Sequence, residues 1–154
     1  MRLTLALAGF ALLAVPALAQ DDAAADEGED GPSLTANLTL TSDYRFRGQS
    51  QTMRGGAVQG GLDYADPSGL FAGVWASTID FDDPQESPAE VDFIAGYSHT
   101  FADETAGSVW LAYYWYPDSD PADYDYVEIL GTVSHDFGAF ALQGDATYSG
   151  EYSG

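Results

Sequence analysis

The sequence has no cysteine, no lysine and no run of about 18 unbroken apolar residues. Without a thiol there is no disulfide, no thiolate nucleophile and no zinc-type Cys spacing. Without lysine the basic side chains come down to four arginines, set against 25 acids for a formal charge of −21. That balance cannot neutralise a run of phosphates, so no nucleic acid is expected as a partner. Without a long apolar run there is no transmembrane helix. Histidine is scarce as well: His99 and His135 stand with no serine motif tied to either, and no Gly-rich phosphate loop is present. The reading is of a protein that is not an enzyme, with no cofactor and no metal.

What apolar run there is lies at the start. Arg2 precedes Leu3 to Val15, and Ala17-Leu18-Ala19 has the small-x-small form that signal peptidase cuts, so residues 1–19 are read as a secretory signal peptide. Residues 20–33 carry acids, alanine and glycine without apolar periodicity and are read as a disordered acidic leader. Cleavage leaves three arginines against the same 25 acids. An exported chain without disulfides must hold itself together by its sheet.

The clearest pattern in residues 34–154 runs from Leu34 to Gly48. Leu34, Ala36, Leu38, Leu40, Tyr44 and Phe46 fall on one parity, and Thr35, Asn37, Thr39, Thr41, Asp43, Arg45 and Arg47 on the other, with Ser42 breaking the apolar side. Period-two alternation, apolar on one face and charged or hydroxylated on the other, is what a strand needs between lipid and a water-filled barrel interior.

Further strand-like runs follow at regular spacing, with turn signals between them and no helical period, which predicts an all-β antiparallel up-and-down meander. Residues 56–65 alternate Val58, Gly60, Leu62 and Tyr64 against Gln59, Gly61 and Asp63. If Ala65 pairs with Leu70 across Asp66-Pro67-Ser68-Gly69, then Phe71, Gly73, Trp75 and Ile79 join the apolar face. At the other end, Gly138-Ala139 suits a type II′ hairpin. Pairing Phe137 with Phe140 puts Val133 opposite Gly144 and Gly131 opposite Ala146, and leaves Gln143, Asp145 and Thr147 on the polar face. Between these lie 90–101, with Val91, Phe93, Ala95, Tyr97 and Phe101 against Asp92, Gly96, Ser98 and Thr100, and 108–116, apolar or aromatic almost throughout, whose facing stays open.

Short turns are expected at 66–69, 102–107 and 138–139, on the periplasmic side. Longer loops are expected at 49–55, 82–89 and 117–123, on the external side. Tyr64, Phe71, Phe101, Phe137 and Phe140 fall beside the short turns. Tyr44, Phe46, Tyr113 to Tyr116, Tyr124, Tyr126 and Tyr148 fall near the external ends. Two such belts of aromatics match the two lipid–water interfaces of a membrane barrel. The count is seven strands with both edges open, so 34–154 is expected to be the N-terminal part of a longer transmembrane β-barrel, incomplete as it stands; closure by self-association is the other route.

The segment 41–52, TSDYRFRGQSQT, together with 57–64, 68–75, 90–92 and 113–117, resembles the TorF porin family of proteobacteria. The resemblance spans about Leu34 to Tyr148. It implies an outer-membrane barrel of a Gram-negative bacterium that meets membrane lipid and lipopolysaccharide and passes small solutes or ions, with a homo-oligomer left open. Two departures stand out: Met53-Arg54 occupies a place where the family usually has an acid soon after the SQT, and family members continue for further strands.

The candidate pore-lining residues are Asp43, Arg45, Arg47, Gln59, Asp63, Asp92, Gln143 and Asp145. Asp80, Asp82, Asp83, Glu86, Glu90, Asp118, Asp120, Asp123 and Asp125 would make an acidic rim. The expected function is passive diffusion through a cation-preferring, porin-like channel, with Arg45 and Arg47 as a local positive patch or, alternatively, braces to Asp43 or Asp63. The alternative is a non-conducting structural or surface-interaction barrel, since small barrels are filled by side chains. The acids at 118–125 could offer oxygens to Ca²⁺, but they lack EF-hand spacing, and a solvated loop is the ordinary reading. Both histidines fall on the lipid-facing parity near short turns.

Overall fold

The computed structural model describes residues 31–83, 87–101, 104–119 and 124–150. The signal-peptide reading, and all but the last residues of the acidic leader, lie outside them. Among the described residues there is no helix. The strands are β1 (Ser33–Thr41), β2 (Arg45–Phe46), β3 (Gln49–Ser50), β4 (Ala57–Ala65), β5 (Leu70–Thr78), β6 (Ala89–Thr100), β7 (Thr105–Trp115), β8 (Tyr126–Asp136) and β9 (Ala141–Ser149). Seven of them form one antiparallel up-and-down sheet in the order β1-β4-β5-β6-β7-β8-β9, and β2 and β3 form a separate two-stranded hairpin. β1 and β9 are the two edges of the sheet.

The connections divide by length. The turns after β4, β6 and β8 are short and share one end of the sheet; those after β1, β5 and β7 are long and share the other. At the 138–139 turn the Phe137 N–H donates to the Phe140 carbonyl at 2.9 Å and Gly138 has φ +83°. The pairs Val133–Gly144 and Gly131–Ala146 then follow the alternation. The open question at 108–116 resolves through pairing with β6: Val109, Leu111, Tyr113 and Trp115 turn outward, while Ala112, Tyr114 and Tyr116 are buried inward.

Three expectations need correction. β4 pairs with β5 one residue out of the expected register: Ala65 meets Phe71, Tyr64 meets Ala72 and Leu62 meets Val74. The Asp66 N–H donates to the Leu70 carbonyl and the Gly69 N–H to the Asp66 carbonyl, each at 2.8 Å. Gly69 sits at φ +98°. This is a three-residue loop with its third residue left-handed, where a four-residue turn was expected. Because the side-chain period is two, the single-residue difference moves Phe71, Gly73, Trp75 and Ile79 from the outer face to the inner one. A Cβ at Gly69 would collide with the Ser98 carbonyl oxygen, so the loop needs its glycine twice over.

The second correction concerns the connection before β7. Its strand starts at Thr105, where the Phe101 N–H donates to the Thr105 carbonyl at 2.7 Å. The turn is thus shorter than 102–107.

The third concerns the first strand, which stops at Thr41 and does not run on to Gly48. Tyr44 is buried at 3% exposure and Phe46 packs on the inner cluster, so neither continues the outer face of β1.

Exposure on the two faces is inverted relative to a water-soluble sheet. Leu38 and Leu40 are each 78% exposed, and Val109, Leu111, Ile129 and Val133 are exposed with them on the outer face. On the inner face Glu90 is 2% and Glu128 1% exposed. Midway along that face, Phe71, Gly96, Trp110 and Leu130 form one lateral row across β5 to β8. A Cβ at Gly96 would overlap Trp110 and Phe71, so glycine there lets the two rings approach to 6.5 Å across the intervening strand.

Candidate functional site

The site grows from the connection between β1 and β4. Arg47 at φ +48° and Gly48 at φ +86° make a two-residue reversal of the left-handed kind that joins hairpin strands, pairing Phe46 with Gln49 and Arg45 with Ser50. The Asp43 carboxylate braces its base, accepting from Ser50 Oγ at 2.5 Å and from Arg45 Nε at 2.7 Å. The Ser50 hydrogen bond, helped by Arg45, holds the Asp43 carboxyl below its ordinary value of 3.8. The Gln51 N–H donates to the Tyr44 carbonyl at 2.7 Å, and the Asp80 N–H donates to the Gln51 carbonyl at 2.8 Å, tying the hairpin to the chain after β5.

The hairpin lays Tyr44, Phe46 and Arg47 against the inner face. The Tyr44 hydroxyl donates to Glu90 Oε1 at 2.9 Å, and the Tyr116 hydroxyl donates to Glu90 Oε2 at 3.0 Å. Burial first, and then the neighbouring Glu90 charge, push both phenols well above their ordinary value. Arg47 Nη2 reaches β8 and donates to Glu128 Oε1 at 2.9 Å and Oε2 at 2.7 Å, while the Tyr114 hydroxyl donates to Glu128 Oε2 at 3.1 Å. The guanidinium also lies 4.6 Å from the centroid of the Phe46 ring. Tyr114 stacks on Tyr126 at 4.3 Å, and Tyr44 meets Trp75 edge-on at 5.4 Å. Between the two glutamates sits Asp92, in lateral register with Trp75 on one side and Tyr114 on the other. Its side chain is buried, and among the described residues nothing donates a hydrogen bond to Oδ1.

The eight candidate residues do not form one cluster. Arg47 and Asp92 belong to the site just described. Asp43 and Arg45 stand at the base of the hairpin, and the Arg45 side chain is half exposed. Arg45 pairs with Asp43, whereas Arg47 pairs with Glu128 and not with Asp43 or Asp63. Gln59 is buried on the inner face beside Ser77, its Nε2 3.3 Å from Ser77 Oγ. Asp63 lies on the same face, facing Gly73. Gln143 and Asp145 are exposed on the inner face of edge strand β9, where Asp145 accepts from Thr132 Oγ1 at 2.7 Å and Gln143 Nε2 at 3.0 Å.

Glu90 was expected among the rim acids but is a buried strand residue, because β6 begins at Ala89 and places Glu90 opposite Ser77. Glu128 was not singled out from the sequence, and the tyrosines of the cluster were expected in the outer aromatic belt, whereas Tyr44, Tyr114, Tyr116 and Tyr126 are buried. For Glu128 the signal was present: the Val127-Ile129-Gly131 alternation puts Tyr126, Glu128 and Leu130 together on the opposite face.

The aromatic belts are also redistributed. Tyr64, Phe101, Phe137 and Phe140 are exposed beside the short turns, but Phe71 points inward. Near the long connections Tyr113, Trp115 and Tyr148 are exposed, while Tyr114, Tyr116 and Tyr126 are buried on the inner face. Of the acids weighed for Ca²⁺, Asp125 accepts from the Tyr113 hydroxyl at 2.6 Å and the Tyr116 N–H at 2.8 Å, and 120–123 lie outside the described residues. Among the described residues no group of three or more His, Asp or Glu side chains is placed to hold a metal ion. His99 packs against the Tyr97 and Phe101 rings, and His135 Nδ1 shares a 2.8 Å hydrogen bond with Thr105 Oγ1.

Comparison with the curated proteins finds no match, and neither does comparison with the solved structures. The family model Gcw_chp, described as a bacterial protein of unknown function, matches residues 25–153, and the chain therefore belongs to the Gcw_chp family.

Proposed function

We propose that these strands are wall staves of a transmembrane β-barrel in the outer membrane of a Gram-negative bacterium, working as a porin-like, cation-preferring channel for passive diffusion of small solutes. The observation that carries the reading is the inverted exposure: leucines and valines stand free on the outer face while Glu90, Asp92 and Glu128 are buried on the inner one. In water so continuous an apolar surface has no favourable partner, whereas lipid on one side and a water-filled interior on the other accommodate both faces. The resemblance to the TorF porin family supports the same reading. Cation preference rests on three buried acids, of which Glu128 alone is paired with a guanidinium, that of Arg47.

A second reading has its own support. The inward hairpin and the apolar row from Phe71 to Leu130 both occupy the inner face, which favours a filled, non-conducting structural or surface-interaction barrel. Planar-bilayer recordings of the full-length protein separate the two. Single-channel steps whose reversal potential in a KCl gradient tracks K⁺ are expected. Protein that is folded and membrane-inserted but electrically silent would give the second reading the ground.

A further inference from the structure

We propose that Glu90 and Asp92 form a binding site for the cationic group of a small organic solute, an alkylammonium or a guanidinium ion. The inference deepens the channel reading and rests on it only for how the solute arrives.

Glu90 and Asp92 stand two residues apart on β6 and so project to the same face. Both are buried, at 2% and 8% exposure. The guanidinium of Arg47, the basic group that hydrogen-bonds into this cluster, is engaged by Glu128. Glu90 is answered by two phenol hydroxyls, which bring hydrogen bonds but no charge. Asp92 Oδ1 accepts nothing from the described residues. A buried carboxylate oxygen left without a donor is costly, and a cation carrying N–H groups supplies both the donor and the charge.

The surroundings select the kind of cation. Asp92 lies in register between Trp75 and Tyr114, so aromatic side chains flank it on both neighbouring strands. Organic cations gain from ring faces, whereas hard divalent ions need six or more oxygens. The same wall already holds such a cation of its own: Arg47 sits between the Glu128 carboxylate and the Phe46 ring. The Glu90–Asp92 pair offers that chemistry with two carboxylates and, among the described residues, no guanidinium paired to either.

The test is titration of the full-length protein, folded in detergent micelles, with methylguanidinium and with propylammonium chloride, following calorimetry and tryptophan emission. Saturable binding is expected. Asp92→Asn and, as an independent second variant, Glu90→Gln should each weaken it at least tenfold, while Asp136→Asn, which removes one charge at the short-turn end, should bind as the unsubstituted protein does. A response of the folded unsubstituted protein that never saturates overturns the proposal. Undiminished affinity in Asp92→Asn, or Ca²⁺ competing at equal affinity, does so too. Saturable binding by a protein that passes no current would sink the channel reading and leave this site standing; current without saturable binding would do the reverse.

Discussion

The two ends of the inner face are made from the same strands and could hardly differ more. Toward the long connections, Glu90, Tyr114, Tyr116 and Glu128 are buried where the 44–52 hairpin lays Tyr44, Phe46 and Arg47 against them. Toward the short turns, Ser98 and Thr100 of β6 are exposed on the same inner face, as are Gln143 and Asp145 of edge strand β9. The alternation of the strands does not explain the contrast, since both ends have polar inner positions. What differs is the connection. The chain between β1 and β4 is long enough to reverse and return over the face, whereas a three-residue loop at 67–69 or a two-residue turn at 138–139 can only close its own ladder. The chemistry of the inner face is thus set by a loop, and the strands supply the partners it meets.

Removing the contact that pins the loop should break the contrast most. Arg47→Ala leaves Glu128 buried without its cation. Because the guanidinium itself is about one-third exposed, we expect the low end of the cost of breaking a buried pair, about 3 kcal/mol. Chemical unfolding in micelles, compared with Glu128→Gln and the double variant, measures it; an additive cycle would show that the two groups do not act on one another.

Acid should loosen the hairpin by a smaller amount. The folded-state pKa of Asp43 is depressed, so its contribution is complete above the ordinary value of 3.8 and is lost as pH falls through the lower folded value. Hydrogen exchange at the Gln51 amide, which bonds the Tyr44 carbonyl, should accelerate over that window. Asp43→Asn should flatten this acceleration, and a profile unchanged by the substitution would assign it to another carboxyl.

The smallest effect belongs to the uncovered end. Asp145→Ala removes three exposed hydrogen bonds and should change stability by no more than about 0.5 kcal/mol. A loss comparable to that of Arg47→Ala would mean that this end is covered too.

Much of the sheet was legible in the sequence because alternation and glycine turns are local signals. The β8–β9 register followed from Gly138-Ala139, and the outward set on β6 from Val91, Phe93, Ala95 and Tyr97. β5 was misread for a physical reason: Asp66-Pro67-Ser68-Gly69 reads as a four-residue turn, yet the left-handed Gly69 lets Asp66 pair with Leu70, and one residue reverses the strand. β7 could not be read at all, since tyrosine and tryptophan suit both an exposed apolar face and a hydroxyl-lined interior. The site was least legible. That Tyr44 leaves the line of β1 and meets Glu90 depends on a reversal at Arg47-Gly48 and on a partner 46 residues away. Alternation carries no information about such a meeting.

The distribution of arginine has a practical consequence. Beyond Arg2, the chain's arginines are Arg45, Arg47 and Arg54, all within the first long connection, and there is no lysine anywhere. Trypsin, which cuts after basic residues, therefore has no target in any strand of the seven-stranded sheet. A nick in that connection would leave β1 attached through nine residue pairs with β4, so cleavage after Arg47, read apart from cleavage after the exposed Arg54, becomes a clock for how often the hairpin lifts from the inner face while the sheet stays intact.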